Sequence, residues 1–349
     1  MSPAPANQGA PLADPAGRAL EAEPLRCERL FVPKPWGGRA LERQPGLALP
    51  PGKIGETWEL VDRAKENSVV AEGTFRGRRL RDVLASHRAA YLGRSALSPT
   101  GEFPVLVKFL DAEEDLSVQV HPHAGVAAGL PAGDAPKTEC WYILDARPGS
   151  CVYLGLVPGV DARTLRERAG SREIVGLLRR HTVRAGDFLF VPGGTVHAIG
   201  AGVTLAEVQQ TSDTTYRIYD WGRVESDGRP RPIHLEQALG VTRFDDGAQG
   251  PVRPVARALP DGTRRASLVD CESFAVDLCE IATRGTFDTD ERALVYVVLA
   301  GEGRLERGGD GARSVRLSPG DTWLVPASWG EHHVEARAPL RLLAVRTKE

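Results

Sequence analysis

Residues 103–139 read FPVLVKFLDAEEDLSVQVHPHAGVAAGLPAGDAPKTE, and the alternation inside this stretch decides how the rest of the chain is understood. Between Leu116 and His121, apolar and polar residues take turns. Successive side chains of a strand point to opposite faces, so Leu116, Val118 and Val120 share one face and Ser117, Gln119 and His121 the other. The aliphatic face predicts burial, while a companion face carrying a hydroxyl, an amide and an imidazole predicts a wet interior. After a Gly/Ala-rich loop the chain resumes as KTECWYIL, where the same alternation aligns Lys137, Glu139 and Trp141. A carboxylate thus joins the amide and the imidazole.

A second stretch, RAGDFLFVPGGTVHAIG, supplies a further imidazole. Gly186 and Asp187 make a turn, Phe188 to Val191 a short apolar strand, and Pro192, Gly193 and Gly194 turn the chain again before His197. The spacing G-x5-P-x-G-x2-H resembles the second motif of the cupin family at every fixed position. The earlier stretch resembles the first cupin motif less closely, because its usual H-x-H stands here as Gln119-Val120-His121 and Glu139 follows a longer loop. Gln-x-His with a distant Glu and His resembles the type I mannose-6-phosphate isomerases. Further agreement lies in KPWGG from Lys34, GETWEL from Gly55, KTECWYIL, GTVHAIG and AEVQQTSDTTYRIYDWGR from Ala206 to Arg223. These blocks run in unbroken order from about residue 28 to 240, and several ordered matches are far more specific than any single motif.

The resemblance implies a mainly β fold of two cupin (jelly-roll) barrels, with a small helical insertion in the N-terminal half. It implies one Zn2+ per chain on Gln119, His121, Glu139 and His197, a donor set that suits zinc with a position left for water or substrate. It also implies isomerisation of mannose 6-phosphate to fructose 6-phosphate through an enediol or enediolate, with Arg217 as a catalytic residue. The reaction needs a base as well, and Glu207 or Lys137 can carry the proton. Glu207 is the preferred base, with Lys137 orienting sugar hydroxyls or stabilising charge. The resemblance places Lys108, Ser117 and Arg223 on the phosphate side, although lysine is common in the family where Arg223 stands. It raises a role at the pocket for Trp36, whose bland alternative is packing. Pro136 departs from the family, replacing the glycine that usually precedes Lys137 and restricting that loop. His123 and His87 read as solvent-exposed side chains, not ligands.

A chain of 349 residues has room for about two domains. Its formal charge of -2 and lack of a Lys/Arg-rich run give no field for nucleic acid. Cys27, Cys140, Cys151, Cys271 and Cys279 are odd in number and lack C-x2-C spacing, which argues against a disulfide framework or a cysteine metal site. No apolar run approaches the roughly 18 residues of a membrane helix, and the first two dozen residues lack a signal-peptide plan. The expected partner is a small sugar phosphate, with no nucleic acid and no membrane, for a cytoplasmic monomer or homodimer.

Taken in order, residues 1–24 predict a disordered leader. Residues 25–240 predict a catalytic cupin domain with helical insertions at about 78–91 and 161–180, the latter as two helices. Residues 241–262, rich in Asp, Gly, Pro and Arg, read as a linker. Residues 263–349 predict a second cupin barrel without metal ligands, because LSPGDTWLVPASWGEHH echoes VRAGDFLFVPGGTVHA with Glu331 at the position of His197. Two other functions fit a bicupin: a non-catalytic sugar-phosphate binder, and an Fe(II) oxygenase. The Gln ligand and the Lys/Ser/Arg set argue against the oxygenase.

Overall fold

The computed structural model describes residues 21–43, 45–224, 228–245, 247–308 and 313–349. Of the leader expected over 1–24, positions 1–20 lie outside the described residues. The chain is mainly β and divides into two compact units. Among the described residues no helix is long and apolar enough to cross a membrane.

One unit comprises Leu30–Trp58 and Val105–Pro254. Its six-stranded sheet runs in the order Leu30–Val32, Glu56–Leu60, Val105–Ala112, Val203–Gln210, Glu139–Ala146, Phe188–Val191. Val105–Ala112 is buried at every position, as suits an apolar run in the middle of a sheet. Its five-stranded sheet runs Tyr216–Tyr219, Val118–Val120, His197–Ile199, Cys151–Leu156, Leu178–Thr182. Val118 and Val120 point away from the interior and pack with Leu156, Leu165, Ile174, Ile218 and Ala238, the side on which helices Ala162–Arg168 and Leu235–Val241 lie. Leu116 departs from the expected face, since it joins Trp36, Leu110, Trp141 and Leu154 in the inner cluster. The strand begins only at Val118, so its alternation does not reach back that far.

Asp161 caps the helix Ala162–Arg168 by accepting from the Thr164 N–H at 2.7 Å. The second helix expected over 172–180 forms only in its first part, as a 3-10 helix capped by Ser171. Arg172–Leu177 runs into the strand Leu178–Thr182, which pairs with Cys151–Leu156. That sheet edge satisfies the backbone groups a helix would otherwise pair internally.

The other unit contains the described residues up to Arg29, together with Glu59–Pro104 and Val255–Glu349. It holds a seven-stranded and a four-stranded sheet around Tyr296, Leu305, Trp323, Trp329 and Leu342. Helices Leu80–Ser86 and Arg88–Leu92 belong here, so the grouping is not the linear one that sequence order suggests. His87 joins these helices and is only 8% exposed. It turns inward with its ring edge-on to Phe75 at 5.0 Å, which corrects its reading as a surface residue.

Strand register revises the internal repeat. Trp141 pairs with Leu189 in the first unit and Tyr296 with Trp323 in the second, so Leu294 takes the place of Glu139. His197 and His332 each open the strand after the following turn, and each lies close to a carbonyl two residues earlier, Thr195 at 2.9 Å and Gly330 at 2.8 Å. His332, not Glu331, is therefore the counterpart of His197, displaced by one residue across the 3-10 turn Ala327–Trp329. Its Nε2 lies 2.8 Å from the Tyr296 hydroxyl.

Candidate active site

Antiparallel register builds the site in rows. Across the five-stranded sheet His197 lies opposite Gln119, and Gln119 opposite Arg217. Across the six-stranded sheet Lys108 lies opposite Glu207 and Glu207 opposite Trp141, while Glu139 pairs with Gln209 two residues further along. Side chains from these rows line one cavity, together with Lys34, Trp36, Glu56, Ser117, Lys137 and Arg231.

His121, Glu139 and His197 place one donor atom each within 4.8 Å of one another, all of them buried. Both imidazoles are oriented by backbone carbonyls. His121 Nδ1 lies 2.7 Å from the Thr214 oxygen and His197 Nδ1 2.9 Å from the Thr195 oxygen. A carbonyl only accepts, so each Nδ1 carries the proton and each Nε2 presents a lone pair to the site. Those lone pairs face Glu139, at 3.4 Å from His121 and 3.6 Å from His197. Burial pushes His197 down to about 3, so the ring is neutral and able to ligate. The donor set also attracts positive charge, since the Lys137 Nζ stands 2.7 Å from Glu139 and 3.2 Å from His121 Nε2. Two imidazole lone pairs and a carboxylate fit a borderline divalent metal.

Gln119 stands beside this group. Its Oε1 accepts from the Ser117 hydroxyl at 3.0 Å, and its Nε2 lies 3.3 Å from His197 Nε2. Half a turn of the amide plane presents Oε1 beside His197 instead, and a hydroxyl that both donates and accepts satisfies either orientation.

The charged groups around the donors balance one another. Burial would raise Glu139, but Lys137 and His121 outweigh it and hold the carboxyl well below its ordinary value. Burial would lower Lys137, but Glu139 and Glu207 outweigh it and raise the ammonium. Glu207, 3.4 Å from Lys137, is pushed up to about 8 by burial and by the Glu139 charge.

Lys108, 3% exposed, stands 4.8 Å over the Trp58 ring and 3.4 Å from Glu56. Trp36 is buried on the cavity wall and also belongs to the inner apolar cluster. Arg217 reaches the cavity with Nη1 donating to the Pro232 carbonyl at 3.0 Å. Arg223 is not among the lining residues. It donates to Asp220 and to the Asp115 carbonyl, with Glu114 at 3.6 Å. His123 is half-buried and accepts from the Gly125 N–H, away from the donor cluster.

Sequence reasoning missed Lys34, Glu56 and Arg231. Glu56 carried the same signal as Lys108, a charge within an apolar strand, whereas Arg231 sits in a Pro/Arg run with no periodicity to orient it.

Comparison with known proteins bears on this geometry. Residues 25–138 match the catalytic domain of type I phosphomannose isomerase, and residues 264–344 the cupin domain of mannose-6-phosphate isomerase. A probable mannose-6-phosphate isomerase of Bacillus subtilis is 36% identical over 316 residues, covering 89% of this chain and 96% of that protein. A mannose-6-phosphate isomerase of Streptococcus mutans is 35% identical, covering 87% and 93%. The crystal structure of a Bacillus subtilis mannose 6-phosphate isomerase superposes with a TM-score of 0.83 at 30% identity, covering 93% of this chain and 99% of that one.

Proposed function

The chain belongs to the type I phosphomannose isomerase family, and from that premise we propose that it interconverts mannose 6-phosphate and fructose 6-phosphate with one Zn2+ held by Gln119, His121, Glu139 and His197. The observation that carries this reading is the convergence of two inward-facing imidazole lone pairs and a carboxylate in one buried cluster. Gln119, His121, Glu139 and His197 would hold the ion, which would supply Lewis acidity, directly or through a bound water, at the carbonyl end of the sugar.

The chain's own residues move the proton and hold the charge. Isomerisation removes a proton from the carbon beside the carbonyl and returns it to the neighbouring carbon, through an enediol or enediolate. Glu207 is the base in this reading, because a carboxyl pushed up to about 8 both accepts and returns a proton near neutrality. Lys137, kept as an ammonium by two carboxylates, stabilises charge and orients hydroxyls. Arg217, fixed beside Gln119, supplies preorganised positive charge where the enediolate develops. Trp36, Lys108 and Ser117 form the substrate wall. We read the paired sheets of each unit as a cupin barrel, with helices inserted in the N-terminal half and ligands only in the unit that holds Glu139. Five free cysteines suit a reducing cytoplasm, for a monomer or homodimer.

A coupled assay for fructose 6-phosphate formation, before and after chelation and zinc add-back, tests the proposal. Turnover should vanish with chelator and return with zinc. No conversion by the zinc-loaded protein overturns the function, and full activity of the metal-free protein overturns the metal's role. In the same assay Glu207→Gln should lower kcat by about 100-fold or more with zinc content unchanged, and a kcat within a few-fold of wild type would remove Glu207 as the base.

A further inference from the structure

Resting on that reading, we infer that Arg231 is the guanidinium that meets the substrate phosphate in this chain, while Arg223 serves as its support. Two arginines compete for the anchor Asp220, which is 5% exposed. Arg231 takes it side-on, with Nε 2.6 Å from one carboxylate oxygen and Nη2 2.5 Å from the other. Arg223 takes it through Nη1 at 3.2 Å and spends further donors on the Asp115 carbonyl. Arg231 lines the cavity and Arg223 does not.

Strand register puts Asp220, and through it the Arg231 that it holds, on the far side of Val118 from Gln119. Along the paired strands Val118–Val120 and Tyr216–Tyr219, Gln119 faces Arg217 and Val118 faces Tyr219. The next residues outward are Ser117 and Asp220. On the opposing sheet the step from Glu139 to Trp141 runs to the row of Glu207 and Lys108. Ser117, Lys108 and the Asp220-held Arg231 therefore stand beyond the donor row, where a six-carbon sugar bound by its carbonyl end would carry its phosphate. A guanidinium fork fixed by a buried carboxylate is preorganised for a dianion.

The test compares Arg231→Gln, Arg231→Lys and Arg223→Gln with wild type, each checked for zinc content and thermal midpoint. Arg231→Gln should raise the KM for mannose 6-phosphate and the inhibition constant of inorganic phosphate together by about tenfold, with kcat changed far less. Arg231→Lys, which keeps the charge and loses the fork, should raise both by a smaller factor, and Arg223→Gln should raise them less than Arg231→Gln. A folded Arg231→Gln or Arg231→Lys protein with both constants within twofold of wild type overturns the assignment, as does a larger effect from Arg223→Gln. Calorimetric titration of inorganic phosphate into the same proteins keeps the two claims apart. If wild type fails to isomerise, the functional reading falls, while weaker phosphate binding on loss of Arg231 still supports this inference and equal binding refutes it.

Discussion

Glu56 holds two lysines in the cavity wall, Lys34 at 3.2 Å and Lys108 at 3.4 Å, and accepts from the Trp58 indole at 2.7 Å. Burial alone would raise this carboxyl, but the two ammonium groups outweigh it and hold it at about 2. A folded-state value below the ordinary 4.5 means that the stability it contributes is complete above about pH 4.5 and is lost as pH falls toward 2. That contribution is on the order of 3 kcal/mol. Urea unfolding of Glu56→Gln at stepped pH should show lower stability at neutral pH and a flatter decline between pH 4.5 and 2, and a decline as steep as wild type would contradict the account. The charges in this wall were unequally legible in the sequence. Lys108 announced itself because an unpaired lysine in an apolar strand is costly, and the same argument applied to Glu56 would have found its partner. No pattern in GRPRPIH tells which arginine turns inward, since that depends on how Asp220 is shared between Arg223 and Arg231.

At the scale of elements, the strand carrying Gln119 is held in place by its neighbour and by the loop before Lys137. The Tyr216 hydroxyl donates to Asp134 at 2.7 Å, and Thr214 Oγ1 accepts from the Ala135 N–H at 3.0 Å. The same Thr214 turns its carbonyl onto His121. Tyr216→Phe deletes one hydrogen bond to a charged acceptor and should cost about 1.5–3 kcal/mol by urea unfolding; no change would show that the clasp is idle. Alternation located the strands that carry Gln119 and Glu139 because each has one face on a core and one on the cavity, whereas His197 was reached through the motif spacing G-x5-P-x-G-x2-H. Over 172–180 short apolar spacing suits an α-helix and a 3-10 helix alike; the 3-10 helix Arg172–Leu177 forms, and from Leu178 the chain pairs with Cys151–Leu156 instead.

For the whole molecule, the repeat was legible from GDFLFVP against GDTWLVP, but its equivalence was not. The turn Ala327–Trp329 shifts the chain by one residue, so only strand register shows that His332 answers His197 and Leu294 answers Glu139. In the second unit a leucine stands at the carboxylate's place, and the retained imidazole of His332 lies 2.8 Å from the Tyr296 hydroxyl. Nor does sequence order reveal that Glu59–Pro104 packs with the C-terminal strands, because that grouping rests on contacts distant along the chain. The most direct measurement is the metal content of wild type and His197→Ala after exposure to excess zinc and exhaustive dialysis. One zinc per chain in wild type and close to none in the folded variant is the predicted result; zinc-free wild type, or a variant that keeps its zinc, would contradict the site.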